Sequence, residues 1–271
     1  DTAEFYNNMG NALKERDKLG EAIEAYKEAL KIKPDFAEAY HNMGVALKKN
    51  GDLDAAIEAY KEALKIKPGI AESHNNLGNT LIEMGKLGEA IEALNKALDI
   101  KPDYAEAYNN MGNALKGNGK LEQAVEAYKR ALSLKPGYAN ATHMVSSLTG
   151  KKTNSAPREY VENLFDVYAR KFDGSLVEQL EYTIPKTLSQ IVVKQISEVS
   201  LGSVLDLGCG TGLTGLEFRD ISANLEGIDL SKSMLEHARL KNVYDKLTHC
   251  DITEYLSKAE LDFDYFISTD V

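Results

Sequence analysis

The chain has 271 residues, 43% hydrophobic and 27% charged; these values are ordinary for globular protein, and the length fits about two domains. A net charge of −10 and a pI near 5.1 argue against a general nucleic-acid or anionic-membrane binder, so no nucleic-acid partner is expected. No apolar run approaches membrane-spanning length and no signal peptide is visible, so no membrane partner is expected either.

In chain order, the first half is periodic. Pro34, Pro68, Pro102 and Pro136 are 34 residues apart, and the same period carries Gly10, Gly44, Gly78 and Gly112. It also carries Ala22, Ala56, Ala90 and Ala124, and Ala29, Ala63, Ala97 and Ala131. Each unit reads as two amphipathic helices: Tyr40, Met43, Gly44 and Leu47 share one face of the first, Ala56, Tyr60 and Ala63 one face of the second. Proline closes the second helix. The array resembles the tetratricopeptide repeat, with units 3–36, 37–70, 71–104 and 105–138. The resemblance implies units that bury their apolar faces only by stacking, giving an all-α superhelix. Residues 139–148 continue the first-helix pattern with Ser146 in the glycine place, so a degenerate capping helix is expected there.

In this family the concave face is the usual binding surface. Here its positions hold Asn8, Asn42, Asn76 and Asn110, with Asn11, Asn79 and Asn113 one turn on. Such an amide ladder, similar to the one in the repeats of O-GlcNAc transferase, donates and accepts at once. It suits an extended peptide backbone, so a protein or peptide partner is expected. Repeats that clamp a terminal carboxylate use Lys and Arg; Glu4, Glu38, Glu72 and Glu106 argue against that ligand. The alternative, that asparagine is simply common at these positions, stays open.

Gly150 to Pro157 is a polar linker without periodicity. The expected domains are therefore an array over 1–149, a linker over 150–157 and a second domain over 158–271. After the linker, Tyr160 to Asp173 has apolar residues at spacings of three and four and reads as a helix. It resembles the "Phe-Asp-x-Tyr-Ala-x-x-Phe-Asp" segment that precedes the cofactor motif in many small-molecule methyltransferases. That resemblance makes Tyr168, Phe172 and Arg170 candidate lid residues, against the plainer reading of an aromatic stripe covering a sheet. Another helix is expected over about 185–198.

Val204 to Gly212, Val-Leu-Asp-Leu-Gly-Cys-Gly-Thr-Gly, reads as a buried strand (about 203–207) ending in a glycine turn into a helix from Leu213. The helix N-terminus points its N–H groups at whatever sits over the loop. Asp206 before Gly208, Cys209, Gly210 and Gly212 resembles motif I of the class I, Rossmann-like, S-adenosylmethionine-dependent methyltransferases. The implied cofactor is S-adenosyl-L-methionine, whose ammonium tolerates a carboxylate where a pyrophosphate would not. Gly210, Gly212 and Gly215 also fit a dinucleotide fingerprint, so a NAD-type oxidoreductase remains an alternative.

The second strand, Asn224 to Asp229, ends in an acid about 20 residues past the loop, where both ribose hydroxyls would be held. Ser231 is a plausible N-cap for a helix over 232–240. Asp229, Leu230 and Met234 look like motif II, with Leu230 and Met234 flanking adenine. The third strand is expected to end at Leu247 to Ile252. By resemblance, Asp251 and the Ile252 N–H would read the adenine edge; His249 reads as structural. The fourth strand, Asp262 to Val271, resembles motif IV, with Asp270 near the methionine portion. All four strands are expected parallel in the order 3-2-1-4. The domain is expected to be truncated after that strand, leaving the fragment inactive, and the start at Asp1 without methionine points to a segment removed or left out. Cys209 and Cys250 at strand ends fit a reducing compartment, so a cytoplasmic protein is expected. No metal-ligand spacing appears, no catalytic base is assigned, and a non-catalytic repeat scaffold with a vestigial nucleotide domain stays open as the other function class.

Overall fold

The computed structural model describes residues 2–151, 156–195, 200–258 and 261–269, and only the backbone of Arg170, Glu178, Gln179 and Lys258. The chain separates into two compact units, Asp1–Ser155 and Ala156–Val271.

The first unit is a run of antiparallel helix pairs: α1 (Thr2–Glu15) with α2 (Leu19–Ile32), α3 (Ala37–Asn50) with α4 (Leu53–Ile66), α5 (Ala71–Glu83) with α6 (Leu87–Ile100), and α7 (Ala105–Gly117) with α8 (Leu121–Leu134). The first helices also pack in series, α1 on α3, α3 on α5 and α5 on α7. α9 (Ala139–Leu148) covers α8, with Ser146 buried at the glycine place. The repeat glycines are there for packing. A Cβ at Gly10, Gly44 or Gly112 would lie 2.5, 2.7 or 2.5 Å from the ring of Tyr26, Tyr60 or Tyr128. Those three tyrosines are fully enclosed, as are the alanines at 22, 29, 56, 63, 90, 97, 124 and 131. Burying one such ring is worth about 2 kcal/mol, so the repeat needs glycine opposite tyrosine.

The second unit begins with α10 (Arg158–Asp173), which runs on into a π-helical turn at Gly174–Gln179, and α11 (Ile184–Gln195). The sheet then alternates with helices: β1 (Ser203–Leu207), α12 (Leu213–Phe218), β2 (Asn224–Asp229), α13 (Lys232–Lys241), β3 (Lys246–His249), α14 (Ile252–Lys258) and β4 (Tyr265–Ile267). The strands are parallel in the order β3-β2-β1-β4, as the alternation of elements implies. Val204 of β1, Leu225 of β2 and Ile267 of β4 pack with Leu201 and Phe218 into one core, backed by Leu188 and Val192 of α11. The Asp264 carboxylate accepts from the Ser203 N–H at 2.7 Å and fixes the β1–β4 edge.

Three boundaries differ from those the sequence suggests. β3 stops at His249, because Asp251 accepts from the Glu254 N–H at 3.1 Å and from the Thr253 hydroxyl and so opens α14. β4 is three residues long, not ten. The helix expected over 185–198 starts one residue earlier, and 196–199 lie outside the described residues.

Candidate functional site

The glycine loop joins β1 to α12 at the carboxyl edge of the sheet. Gly208, Gly210 and Gly212 have φ of 72, 53 and 90°, the left-handed region closed to most side chains. The Gly208 and Cys209 N–H groups both donate to the Ile228 carbonyl at 2.9 Å, which pins the loop onto β2. Asp229 completes the join: its Oδ2 accepts from the Gly210 N–H at 2.8 Å and its Oδ1 from the Ser231 N–H at 2.7 Å. It is partly exposed, so lone pairs remain for hydroxyl donors outside the chain. Desolvation raises its pKa, against the N–H groups that favour its charge.

Asp206 is placed differently from its sequence reading. It is 1% exposed, enclosed below the loop, and its Oδ2 accepts from the Tyr244 hydroxyl at 2.6 Å. Its Oδ1 is buried with no hydrogen-bond partner among the described residues. Burial pushes the carboxyl up to about 7. Asp206 therefore does not face an open ammonium site; an external donor reaches Oδ1 only where Tyr244 or the loop yields. Tyr244 also accounts for Gly215, since a Cβ there would meet the Tyr244 ring at 2.5 Å. The third glycine of the apparent fingerprint is thus explained by a tyrosine packed on α12.

Cys209 contributes backbone only. Its side chain turns into the sheet, where a Cβ on Gly227 would lie 2.9 Å from Sγ, and burial pushes its thiol up. Met234 is 1% exposed and belongs to the interior under α13, not to an open adenine wall. Leu230 is partly exposed and its carbonyl faces the Nε2 of His249 at 2.7 Å. Asp251 spends one oxygen on the α14 cap, leaving its Oδ2; the cap holds its carboxyl below the usual range. Ile252 is the first residue of α14. Asp270 lies outside the described residues.

α10 crosses the same edge of the sheet. The Asp173 carboxylate accepts from the Thr211 hydroxyl in the glycine loop and from Lys241 Nζ at 2.6 Å, and that ammonium also donates to the Thr211 carbonyl at 2.7 Å. Asp166 accepts from Ser231 Oγ at 2.5 Å and from the Ser233 N–H at 3.1 Å, at the start of α13. Glu162 lies 3.3 Å from His249 Nε2, and Arg158 pairs with Glu254 of α14 at 2.9 Å. The helix is thereby tied to the loops that follow β1 and β2 and to the two elements that flank the loop after β3. Phe172 reaches Gly210: a Cβ there would sit 3.8 Å from its ring. Tyr168 meets Phe172 edge to face at 5.6 Å. Of Arg170 only the backbone is described. Sequence reasoning missed the acids of α10, although 162, 166 and 173 fall on one face at helical spacing.

In the array, the asparagines divide. Asn11 and Asn113 accept from the hydroxyls of Tyr26 and Tyr128 at 2.8 Å, so these two brace their own repeat and are not rungs of a groove. Asn42 and Asn110 donate to Asn7 and Asn75 of the preceding repeat at 3.0 and 2.9 Å, keeping their carbonyl oxygens. Asn76 accepts weakly from Asn75 at 3.4 Å, Asn8 is exposed, and Asn79 is half-buried.

Family models for tetratricopeptide repeats match residues 10–51, 37–69, 59–92, 78–119 and 105–138, and a "Methyltransferase domain" model matches residues 204–271. Among solved structures, a MamA RS-1 double mutant is 25% identical over 57% of this chain and 86% of its own, with a TM-score of 0.53. Another MamA structure is 26% identical over 64% of this chain and 93% of its own, at 0.52. The Pseudomonas aeruginosa PilF structure is 25% identical over 62% and 76%, at 0.52. No curated protein matches the chain. Among the described residues, no helix is long and apolar enough to cross a membrane, and no group of three or more His, Cys, Asp or Glu could hold a metal ion.

Proposed function

We propose that this chain, which joins tetratricopeptide repeats to a methyltransferase-type domain, carries an S-adenosylmethionine site in the second unit and a peptide-recruiting surface in the first. The observation that carries the first part is the junction of the glycine loop with Asp229 at the carboxyl edge of a 3-2-1-4 parallel sheet, where ligands of open α/β folds bind. The electrostatics support a cationic ligand. Asp229 is the carboxylate open at the loop, Asp173 and Lys241 neutralise each other, and Asp206 lies enclosed beneath. A pyrophosphate over the loop would meet the Asp206 carboxyl where an ammonium would be favoured, and that one group is what disfavours a dinucleotide.

Asp229 would hold the ribose hydroxyls. The remaining oxygen of Asp251 and the Ile252 N–H would read adenine, and Leu230 would line it. Gly208, Gly210 and Gly212 would admit the chain of the methionine portion. The buried, unpartnered Oδ1 of Asp206 fits an ammonium once Tyr244 or the loop yields. The cofactor supplies an activated methyl group; the residues of this chain bind, orient and exclude water, and α10 with Phe172 and Tyr168 closes over the loop. The free thiols of Cys209 and Cys250 fit a reducing compartment, and the cytoplasm is the compartment we assign.

Calorimetry tests this. Adenosylhomocysteine should bind at least about a hundredfold more tightly than NAD, and Asp229→Ala should cost about 2 kcal/mol, two charge-assisted bonds. NAD binding as tight or tighter sinks the assignment. Binding of neither would favour a repeat scaffold whose second domain is vestigial.

A further inference from the structure

The four repeats are near copies, so their differences are informative. The third departs at both of its ring positions. The aromatic that opens the first helix, Tyr6, Tyr40 and Tyr108 elsewhere, is His74. The enclosed tyrosine of the second helix, Tyr26, Tyr60 and Tyr128 elsewhere, is Leu94. Leu94 still closes on Gly78, where a Cβ would lie 2.6 Å from it, so the volume left open is that of the ring missing at position 74. His74 does not replace it, because its Nε2 turns to the Pro68 carbonyl at 3.0 Å. Beside it lies a surface hollow of about 620 Å³, between α4 and α6 with α5 as its floor. Leu64, Leu77, Leu81 and Ala93 make its apolar wall; none of the ladder asparagines lines it.

In the first repeat the same place, beside Tyr6, is a smaller hollow of about 480 Å³; the fourth repeat shows what the place holds when filled. There the Arg130 guanidinium stands over the Tyr108 ring, 5.9 Å from its centre. The residue corresponding to Arg130 is Lys96, on the rim of the hollow. The cation is present and the ring is not. The rim charges also differ from those of the neighbouring repeats. Glu24 and Glu58 pair with Lys27 and Lys61, whereas the corresponding pair in the third repeat is Glu92 with Asn95. Lys61 and Lys65 also line the hollow, but each is paired within α4, with Glu58 and Glu62; Glu89 and Glu92 line it too, and no ion pair joins them to another described residue.

We propose that the hollow of the third repeat is a docking site for an aromatic side chain of a partner protein, flanked by a basic residue. The ring sits on Leu77 and Leu81 under Lys96, a cation–π contact of the Arg130–Tyr108 kind. The basic neighbour answers Glu89 and Glu92. The site is separate from the amide ladder, so the array has two recognition surfaces.

The chain contains no tryptophan, so the emission of an indole probe reports the probe alone. Acetyl-Arg-Trp-Arg-amide should show a saturable blue shift and rise in anisotropy with the full chain. Acetyl-Glu-Trp-Glu-amide should bind at least about fivefold more weakly, which is about 1 kcal/mol. His74→Tyr restores the residue of the flanking repeats and should abolish the shift while the helical melting point holds or rises. Ala93→Leu fills the hollow from α6 and should do the same if the first variant fails to fold. Glu89→Gln with Glu92→Gln should erase the preference between the two peptides. Equal binding to the filled variants, no shift up to the solubility limit of the probe, or equal competition by acetyl-Arg-Leu-Arg-amide would overturn the proposal.

Discussion

At the scale of the residue, Asp206 is the most loaded position in the second unit. Its carboxyl is buried, has one donor, and is pushed up to about 7. Since the folded value exceeds the unfolded one, the stability linked to this group is full below about pH 4 and is lost as pH rises through 7. Asp206→Asn removes the ionisation. It should raise the melting point of the second unit at pH 8 more than at pH 5, and weaken adenosylhomocysteine binding if Oδ1 meets the ligand's ammonium. A pH-independent gain in melting point would mean that Asp206 does not titrate in the folded chain. In the array, Asn8 and Asn76 are the rungs least used by the fold itself. Replacing both by Ala should weaken an extended peptide ligand by more than about tenfold at unchanged melting temperature, since each lost amide contact is worth about 1 kcal/mol. Unchanged affinity in a peptide-array screen would remove these asparagines from the binding surface. Asn11 and Asn113 behave otherwise: their loss strands the Tyr26 and Tyr128 hydroxyls and should lower stability. That division is hidden in the sequence. The period places all the asparagines on the first helices, but which of them a tyrosine hydroxyl claims depends on a partner fifteen residues away.

At the scale of the element, α10 is a strap fastened by acids. Asp173 and Asp166 tie it to the glycine loop and to the start of α13, each through hydrogen bonds involving a carboxylate, worth about 1.5–3 kcal/mol. Asp166→Ala should raise hydrogen exchange through residues 158–173 and speed cofactor dissociation. Exchange at the wild-type rate would show that the helix is held by apolar contact alone. The strands and helices of this unit are legible because period, glycine and cap signals agree: β1, β2 and the Ser231 cap fall where the sequence puts them. The sequence makes β3 too long because Cys250, Asp251 and Ile252 continue an apolar-polar alternation. The Asp251 cap, a local hydrogen bond, overrides it. Asp206 looks open in the sequence because order along the chain shows which residue precedes a glycine loop but not that Tyr244, 38 residues later, returns to cover it.

At the scale of the whole molecule, the two compact units should melt independently. A fragment of residues 1–155 should keep the helical transition seen in the full chain; a shift of more than about 3 °C, or about 1 kcal/mol, would show that the units stabilise each other. The array itself has a further consequence. Repeats one, two and four present the same Tyr, Gly and buried Tyr at the same spacing, so a partner with a matching period could slide by one unit and bind equally well in the new register. The odd third unit, with His74 and Leu94, breaks that translational symmetry. It gives the array an origin: a partner that reaches the hollow of the third repeat with a single aromatic anchor has one lowest-energy alignment, and the segments on either side of that anchor are held at fixed distances along the helix pairs.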